Sequence, residues 1–132
     1  MYDVFISYVH GQKIAKTMKE ALEKRGLNVF VDTSLSMGDS LVMSINRAMK
    51  ESKSYLLIID NAFINGEWTK AETQAAFLEA LKSKKLFPLL VDDNAKEFWI
   101  KENPLFANFL GRTWEGADSE SLAEEMLSVL NI

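Results

Sequence analysis

The chain contains no cysteine, which excludes disulfide staples, thiol catalysis and thiolate metal sites together. Its single histidine, His10, cannot build a zinc centre unaided, so a metal site is not expected. No apolar run approaches the roughly 20 residues needed to span a bilayer. The opening MYDVFISY lacks the basic flank and cleavage site of a signal peptide. Positive charge is also short: 15 Lys and Arg stand against 19 Asp and Glu, for a net charge of −4. A basic surface for nucleic acid is therefore not expected. No Walker A motif and no G-x-G-x-x-G is present. These absences predict a soluble, cytoplasmic domain that contacts neither nucleic acid nor membrane. What is present is 132 residues, 48% of them apolar, enough for one domain over 1–132 with an ordinary core.

Apolar patterning divides the chain into alternating elements. Tyr2 to Tyr8 is a nearly continuous apolar run, as expected for a strand covered on both faces. Ile14, Ala15, Met18, Ala21 and Leu22 recur at helical spacing between Lys13 and Arg25, and Gly26 follows where a helix-ending glycine belongs. Leu27 to Val31 reads as the second strand, ended by Asp32. A polar loop from Thr33 to Asp39 leads to a helix capped by Asp39 or Ser40, with Leu41, Ile45, Ala48 and Met49 on one face. Tyr55 to Ile59 is a third strand, followed by a short polar loop and a helix from Trp68 to about Ser83. Leu86 to Val91 is a fourth strand, in which Pro88 predicts a bulge or a place near the sheet edge. Beyond it, Lys96 to Ile100 forms a short helix, Arg112 to Trp114 a short fifth strand, and Asp118 or Ser119 caps a last helix. Strands alternating with helices predict an α/β fold with a central parallel five-stranded sheet and helices on both faces.

Trp68 and Glu72 stand four residues apart, W-x-x-x-E, and so share one helix face. The helix follows a strand, so both side chains point toward the end of the sheet where open α/β folds place their ligands. A carboxylate beside a flat aromatic there suits a ribosyl ring and glycosidic chemistry. On spacing alone, packing by Trp68 and solvation of Glu72 are the better explanation, because long helical side chains of both kinds are common. Other constellations fail on missing partners. Gly38-Asp39-Ser40-Leu41 spells an esterase signature, but no Asp-x-x-His accompanies it. Asp60 suits the phosphorylated position of a receiver domain, but the first strand ends in Ser7-Tyr8 rather than paired acids.

Five segments, in order and at matching spacing, resemble the Toll/interleukin-1 receptor (TIR) domain family over essentially the whole chain. They are Tyr2 to Tyr8; Gly26 with Val29 to Asp32; Leu35 to Gly38; Asp60-x-x-Phe63-x-x-Gly66-x-Trp68-x-x-x-Glu72; and Leu86 to Leu90. Asp60, Gly66 and Thr69 depart from the serine, serine and cysteine usual in the third box. The resemblance implies a flavodoxin-like three-layer fold and divides the functional expectation in two. In the NAD-cleaving, bacterial branch, the glutamate matching Glu72 is catalytic, and NAD⁺ is a substrate rather than a cofactor. The products are nicotinamide with ADP-ribose or a cyclic isomer. By the same resemblance Ser7 and Tyr8 border the nucleotide, Asp32, Leu35 and Gly38 belong to a gating loop, and Trp68 packs beside the ribose or base. Partners implied are other TIR domains, through self-association, and a sensor or effector region lying C-terminal or in a separate protein. A role in immune defence or cell-death signalling goes with this branch. The alternative is a non-catalytic adaptor that recruits partners through the loop around Met37.

Overall fold

A computed structural model describes residues 1–37, 40–65, 86–101, 112–114 and 118–129. The expected Trp68 helix, the Gly38 turn and the Pro104 region lie outside the described residues. Strands β1 (Tyr2–Ser7), β2 (Val29–Asp32), β3 (Ser52–Ile59), β4 (Leu86–Leu90) and β5 (Arg112–Thr113) form one sheet in the order β2-β1-β3-β4-β5. Every pairing is parallel. Among the described residues the helices are α1 (Gln12–Glu23), α2 (Leu41–Glu51), α3 (Asn61–Ile64), α4 (Asp93–Lys101) and α5 (Ser119–Val129). The expected α/β, flavodoxin-like architecture is what forms.

The continuous apolar strands follow from the two-residue side-chain period. In β3, Tyr55, Leu57 and Ile59 enter one core with Leu41, Ile45 and Ala48 of α2, Phe63 of α3 and Ala95 of α4. Leu56 and Ile58 enter the opposite core with Ala15, Met18 and Leu22 of α1 and Leu122, Ala123 and Met126 of α5. β4 splits likewise, Leu86 and Leu90 to the first core and Phe87 and Leu89 to the second. All nine of these strand side chains are at most 5% exposed; at about 1.5–3 kcal/mol for each large apolar side chain, this burial dominates the stability.

Local chemistry sets the element ends. α1 closes when Leu27 N–H returns to Leu22 C=O, and Gly26 supplies the required positive φ of 80°. Asn28 C=O then accepts from Asp3 N–H and Val4 N–H, which delays β2 to Val29, two residues later than the periodicity predicts. Of the two expected caps, Ser40 caps α2 by accepting from Met43 N–H, and Asp39 lies outside the described residues. β3 begins at Ser52, directly at the α2 terminus, rather than at Tyr55. The stretch after β3, expected as a polar loop, holds the one-turn helix α3, capped by the Asp60 carboxylate on Phe63 N–H at 2.8 Å. α4 starts at Asp93, earlier than expected, because Asp92 caps it on Ala95 N–H at 2.8 Å.

Pro88 causes no bulge against β3: Leu86 to Leu90 pair without interruption with Tyr55 to Ile59. Val91 N–H donates to Ile59 C=O, whereas Leu90 C=O accepts from Trp114 N–H. Alternation therefore turns the Pro88 nitrogen toward the β5 side, where described pairing begins only at Leu89. β4 lies one strand in from the edge, and β5 is short enough to leave the missing donor unneeded.

An ionic clamp joins α5 to α1. Arg25, 16% exposed, contacts the Glu120 carboxylate, Glu124 at 3.0 Å and the carbonyls of Ala21 and Glu120. Lys24 adds a second contact to Glu120 at 3.0 Å. Among the described residues no helix is long and apolar enough to cross a membrane.

Two carboxylates link this frame to pH. Hydrogen bonds from Arg25 and then Lys24 hold Glu120 below the usual carboxylate range. The Asn28 N–H bond, helped by Lys53, does the same for Asp3. Both protonate less readily folded than unfolded. Their contribution is complete above about pH 4.5 and is lost as pH falls through the depressed folded values. Asp3→Asn and Glu120→Gln should each lower Tm at neutral pH and lose less Tm than the parent between about pH 5 and about pH 2, read by circular-dichroism melts. Gly11, ahead of α1, is buried, and a Cβ there would stand 3.0 Å from Ile58 Cγ2. Ile58 is β-branched and fully buried, so it cannot swing aside. Gly11→Ala should therefore cost about 1–3 kcal/mol in urea unfolding.

Candidate functional site

In the strand order β2-β1-β3, chain direction leaves β1 on opposite sides toward β2 and toward β3. The resulting crevice opens between the carboxyl ends of β1 and β3, the usual ligand position of this topology. Ser7 closes β1 with Tyr8 just after it, Asp32 closes β2, and Asp60 follows β3. His10 is exposed beside this rim, and Gly11 lets α1 begin close against Ile58.

The described candidates are buried. Ser7 is 0%, Tyr8 6%, Asp32 5% and Leu35 3% exposed. Tyr8 belongs to the core under α1 and α5, and Leu35 to the core on the other face. Ser7 and Asp32 are brought together through Ser44 of α2, a residue the sequence reading passed over. Ser44 Oγ donates to Asp32 Oδ2 at 3.1 Å and lies 3.2 Å from Ser7 Oγ and 3.5 Å from Tyr55 Oη. Its signal was available: Ser44 sits within the buried stripe Leu41, Ser44, Ile45 and Ala48. A lone hydroxyl on an apolar helix face must find a buried partner.

Asp32 gathers the rest. Its Oδ1 accepts from Ser34 N–H at 3.0 Å, and its Oδ2 accepts from Ser34 Oγ at 2.8 Å and Arg47 Nη1 at 3.3 Å. The Ser34 bonds begin the turn that leads into the 3-10 segment Leu35–Met37. Burial, partly offset by the hydrogen bond to Ser44, pushes the Tyr55 phenol up to about 12. It is therefore a neutral donor throughout the physiological range.

The aspartates at the other strand ends are committed too. Asp60 caps α3; Asp92 caps α4 and also accepts from Asn61 N–H at 3.2 Å. Between α3 and α4 lies an open groove of about 350 Å³ lined by Asn61, Asn65, Asn94, Glu97, Ile64 and Phe98, among others. Asn94 Nδ2 donates across it to Asn61 Oδ1 at 3.2 Å. Trp68, Glu72 and Gly38 lie outside the described residues. Glu72 follows β3 in sequence by 13 positions, counting 72 − 59.

A parallel sheet in this order, its crevice between β1 and β3, and a W-x-x-x-E motif following β3 are the features of one family. Residues 4–125 match the family model of the TIR domain, and the chain belongs to the TIR domain family. It is 31% identical over 88 residues to an NAD(+) hydrolase, TcpA, of Theionarchaea archaeon (strain DG-70-1), a match covering 64% of this chain and 27% of that protein. It is 24% identical over 132 residues to a 2′ cyclic ADP-D-ribose synthase, AbTIR, of Acinetobacter baumannii, covering 98% of this chain and 49% of that protein. It is 27% identical over 101 residues to an NAD(+) hydrolase, TcpC, of Escherichia coli O6:H1, covering 73% and 33% respectively. The chain thus spans about half the length, or less, of these curated relatives.

Asp32 and Ser44 are buried, and Ser34 and Arg47 are partly so, whereas some ion pairs elsewhere are exposed on both sides. Lys19–Glu23, with side chains 40% and 45% exposed, is worth only about 0.5 kcal/mol. Removing the Asp32 carboxylate takes an acceptor from the buried Ser44 hydroxyl and from the partly buried Ser34, which costs about 1–3 kcal/mol. Asp32→Ala should fall in that range in urea unfolding, and Lys19→Ala should change stability by about 0.5 kcal/mol or less.

Proposed function

We propose that this chain is a single TIR domain over 1–132 that cleaves the nicotinamide–ribose bond of NAD⁺. The observation that carries the reading is a W-x-x-x-E motif retained in a TIR domain whose relatives are named NAD(+) hydrolase and 2′ cyclic ADP-D-ribose synthase. Glu72 is the catalytic residue. Trp68 packs beside the ribose or base, and Ser7, Tyr8, Asp32, Leu35 and Gly38 shape or gate the substrate site. With their side chains buried, the four described members act through backbone placement of the rim and loop.

The chemistry requires only one carboxylate. As the C1′–N bond breaks, its electron pair neutralises the nicotinamide pyridinium, so the leaving group needs no general acid. Positive charge develops on C1′ and the ring oxygen, as in glycoside hydrolysis. The Glu72 carboxylate stabilises that charge and orders the ribose hydroxyls. Water then attacks C1′ and releases a proton, giving ADP-ribose; capture by another oxygen of the same molecule gives a cyclic isomer instead. The commitment of Asp32, Asp60 and Asp92 to turns and helix starts agrees with this division of labour.

Activity requires self-association. Met37, 82% exposed after β2, and Met43, 59% exposed on α2, offer apolar contacts on the segment that follows β2. The domain works in the cytoplasm, in immune defence or cell-death signalling, with its sensor or effector C-terminal or in another protein. The adaptor reading rests on the same exposed methionines.

The test is NAD⁺ consumption by concentrated protein, with and without a crowding agent, beside Glu72→Ala. Nicotinamide release should fall by at least about 100-fold in the variant, a typical loss for a group that stabilises transition-state charge, while its melting curve stays close to the parent's. Chromatography of the second product separates hydrolysis from cyclisation. No NAD⁺ loss under crowding would favour the adaptor.

A further inference from the structure

We infer that Ser44 is a positioning residue for the β2–α2 connection, its hydroxyl setting the start of that connection against the carboxyl ends of β1 and β3. The functional consequence rests on the NAD⁺ reading above; the structural part does not.

Hydrogen-bond polarity makes the case. A serine hydroxyl has one proton to give and two lone pairs to accept with. Ser44 gives its proton to Asp32 Oδ2 at 3.1 Å. The Ser7 and Tyr55 hydroxyls, at 3.2 and 3.5 Å, must then both donate toward Ser44. This fills the capacity of Ser44, and all three hydroxyl-bearing residues are 0% exposed, so water does not substitute. One oxygen thereby joins β1, β2 and β3 to α2. Asp32 passes the constraint on, since its two oxygens hold the N–H and hydroxyl of Ser34. Ser34 C=O in turn accepts from Met37 N–H at 3.1 Å, closing the 3-10 segment. Facing groups on the neighbouring elements are Arg47 of α2, on Asp32 Oδ2 at 3.3 Å, and Tyr55 of β3.

A purely structural hydroxyl would, when removed, destabilise the sheet as a whole. A positioning hydroxyl should loosen the connection more than the sheet. The side chain of Ser44→Ala is smaller, so it fits the space. Residue-resolved amide exchange on this 15.0 kDa chain distinguishes the two. In Ser44→Ala, the amides of Ser34 and Met37 should exchange roughly tenfold faster or more, from a lost buried hydrogen bond, and by a larger factor than the amides of β1 and β3. Ser34→Ala should loosen the same two amides, and the double variant should add less than the sum of the singles. Tyr55→Phe leaves the Ser44-to-Asp32 bond intact, so it should affect these amides no more than the core strands. Equal acceleration everywhere in Ser44→Ala, or selective loosening in Tyr55→Phe, would overturn the assignment.

Kinetics tests the functional half in crowded, active protein. If fewer molecules hold the connection in its binding conformation, apparent affinity falls by that fraction. Ser44→Ala should therefore raise KM for NAD⁺ with kcat little changed, and an unchanged KM would overturn the functional half. If the parent itself leaves NAD⁺ intact, the NAD⁺ reading fails, while amide exchange still decides the role of Ser44.

Discussion

Successive side chains of a strand point to opposite faces, so the run Tyr55 to Ile59 can be buried only with a helical layer on each side of the sheet. All five of those residues are fully buried. From that constraint comes the three-layer arrangement, with α1 and α5 on one side and α2, α3 and α4 on the other. Each parallel connection must also carry its helix across a face of the sheet. The reversal of direction between β1 and β3 then opens the crevice. Function in this fold is placed by the same burial that stabilises it.

Polar groups enter this core on strict terms. An unpaired buried hydroxyl or carboxylate costs roughly 1–3 kcal/mol or more, and each one described here has found partners. Ser54 Oγ donates to Asp3 C=O at 2.7 Å, Ser52 Oγ to Ala48 C=O, and the Ser7, Ser44 and Tyr55 hydroxyls converge beside Asp32. These bonds are directional where apolar packing is not. Those of Ser52 and Ser54 act at the amino ends of β3 and β1, and those of Ser7, Ser44 and Asp32 at the carboxyl ends where a substrate would approach. The two cores hold the layers together, and the Ser44 cluster determines how the loop after β2 leaves them.

The aspartates at the ends of β2, β3 and β4 illustrate how one residue type serves several ends. Asp32 starts a turn, Asp60 starts α3 and Asp92 starts α4, each by accepting from backbone N–H groups that would otherwise lack partners. Asp60 had attracted attention as a phosphorylatable position, and its capping bond accounts for it instead. In the proposed reaction, the carboxylate that acts on the substrate is Glu72, which follows β3 in sequence, and not a strand-end aspartate.

Several features could be read directly from residue order. The two-residue and 3.6-residue periods marked five strands and most of the helices, because burial patterning is written locally. Gly26 and Ser40 marked helix ends for the same reason: their backbone and capping chemistry involve neighbours a few residues away. The short helix α3 was hidden, since four residues carry too little periodicity, and long-range contacts such as the Asn61 N–H bond to Asp92 and the packing of Phe63 against Phe98 join the Asp60 bond in sustaining it. Residue order also carried the W-x-x-x-E motif and the family. It did not carry the convergence of Ser7, Asp32, Ser44 and Tyr55, which lie on four elements up to 48 positions apart, counting 55 − 7. Nor did it show that Pro88 turns its nitrogen toward a strand only two residues long. Local periodicity is a property of the chain, whereas contacts between distant polar atoms exist only once burial has folded the sheet and forced those groups to satisfy one another.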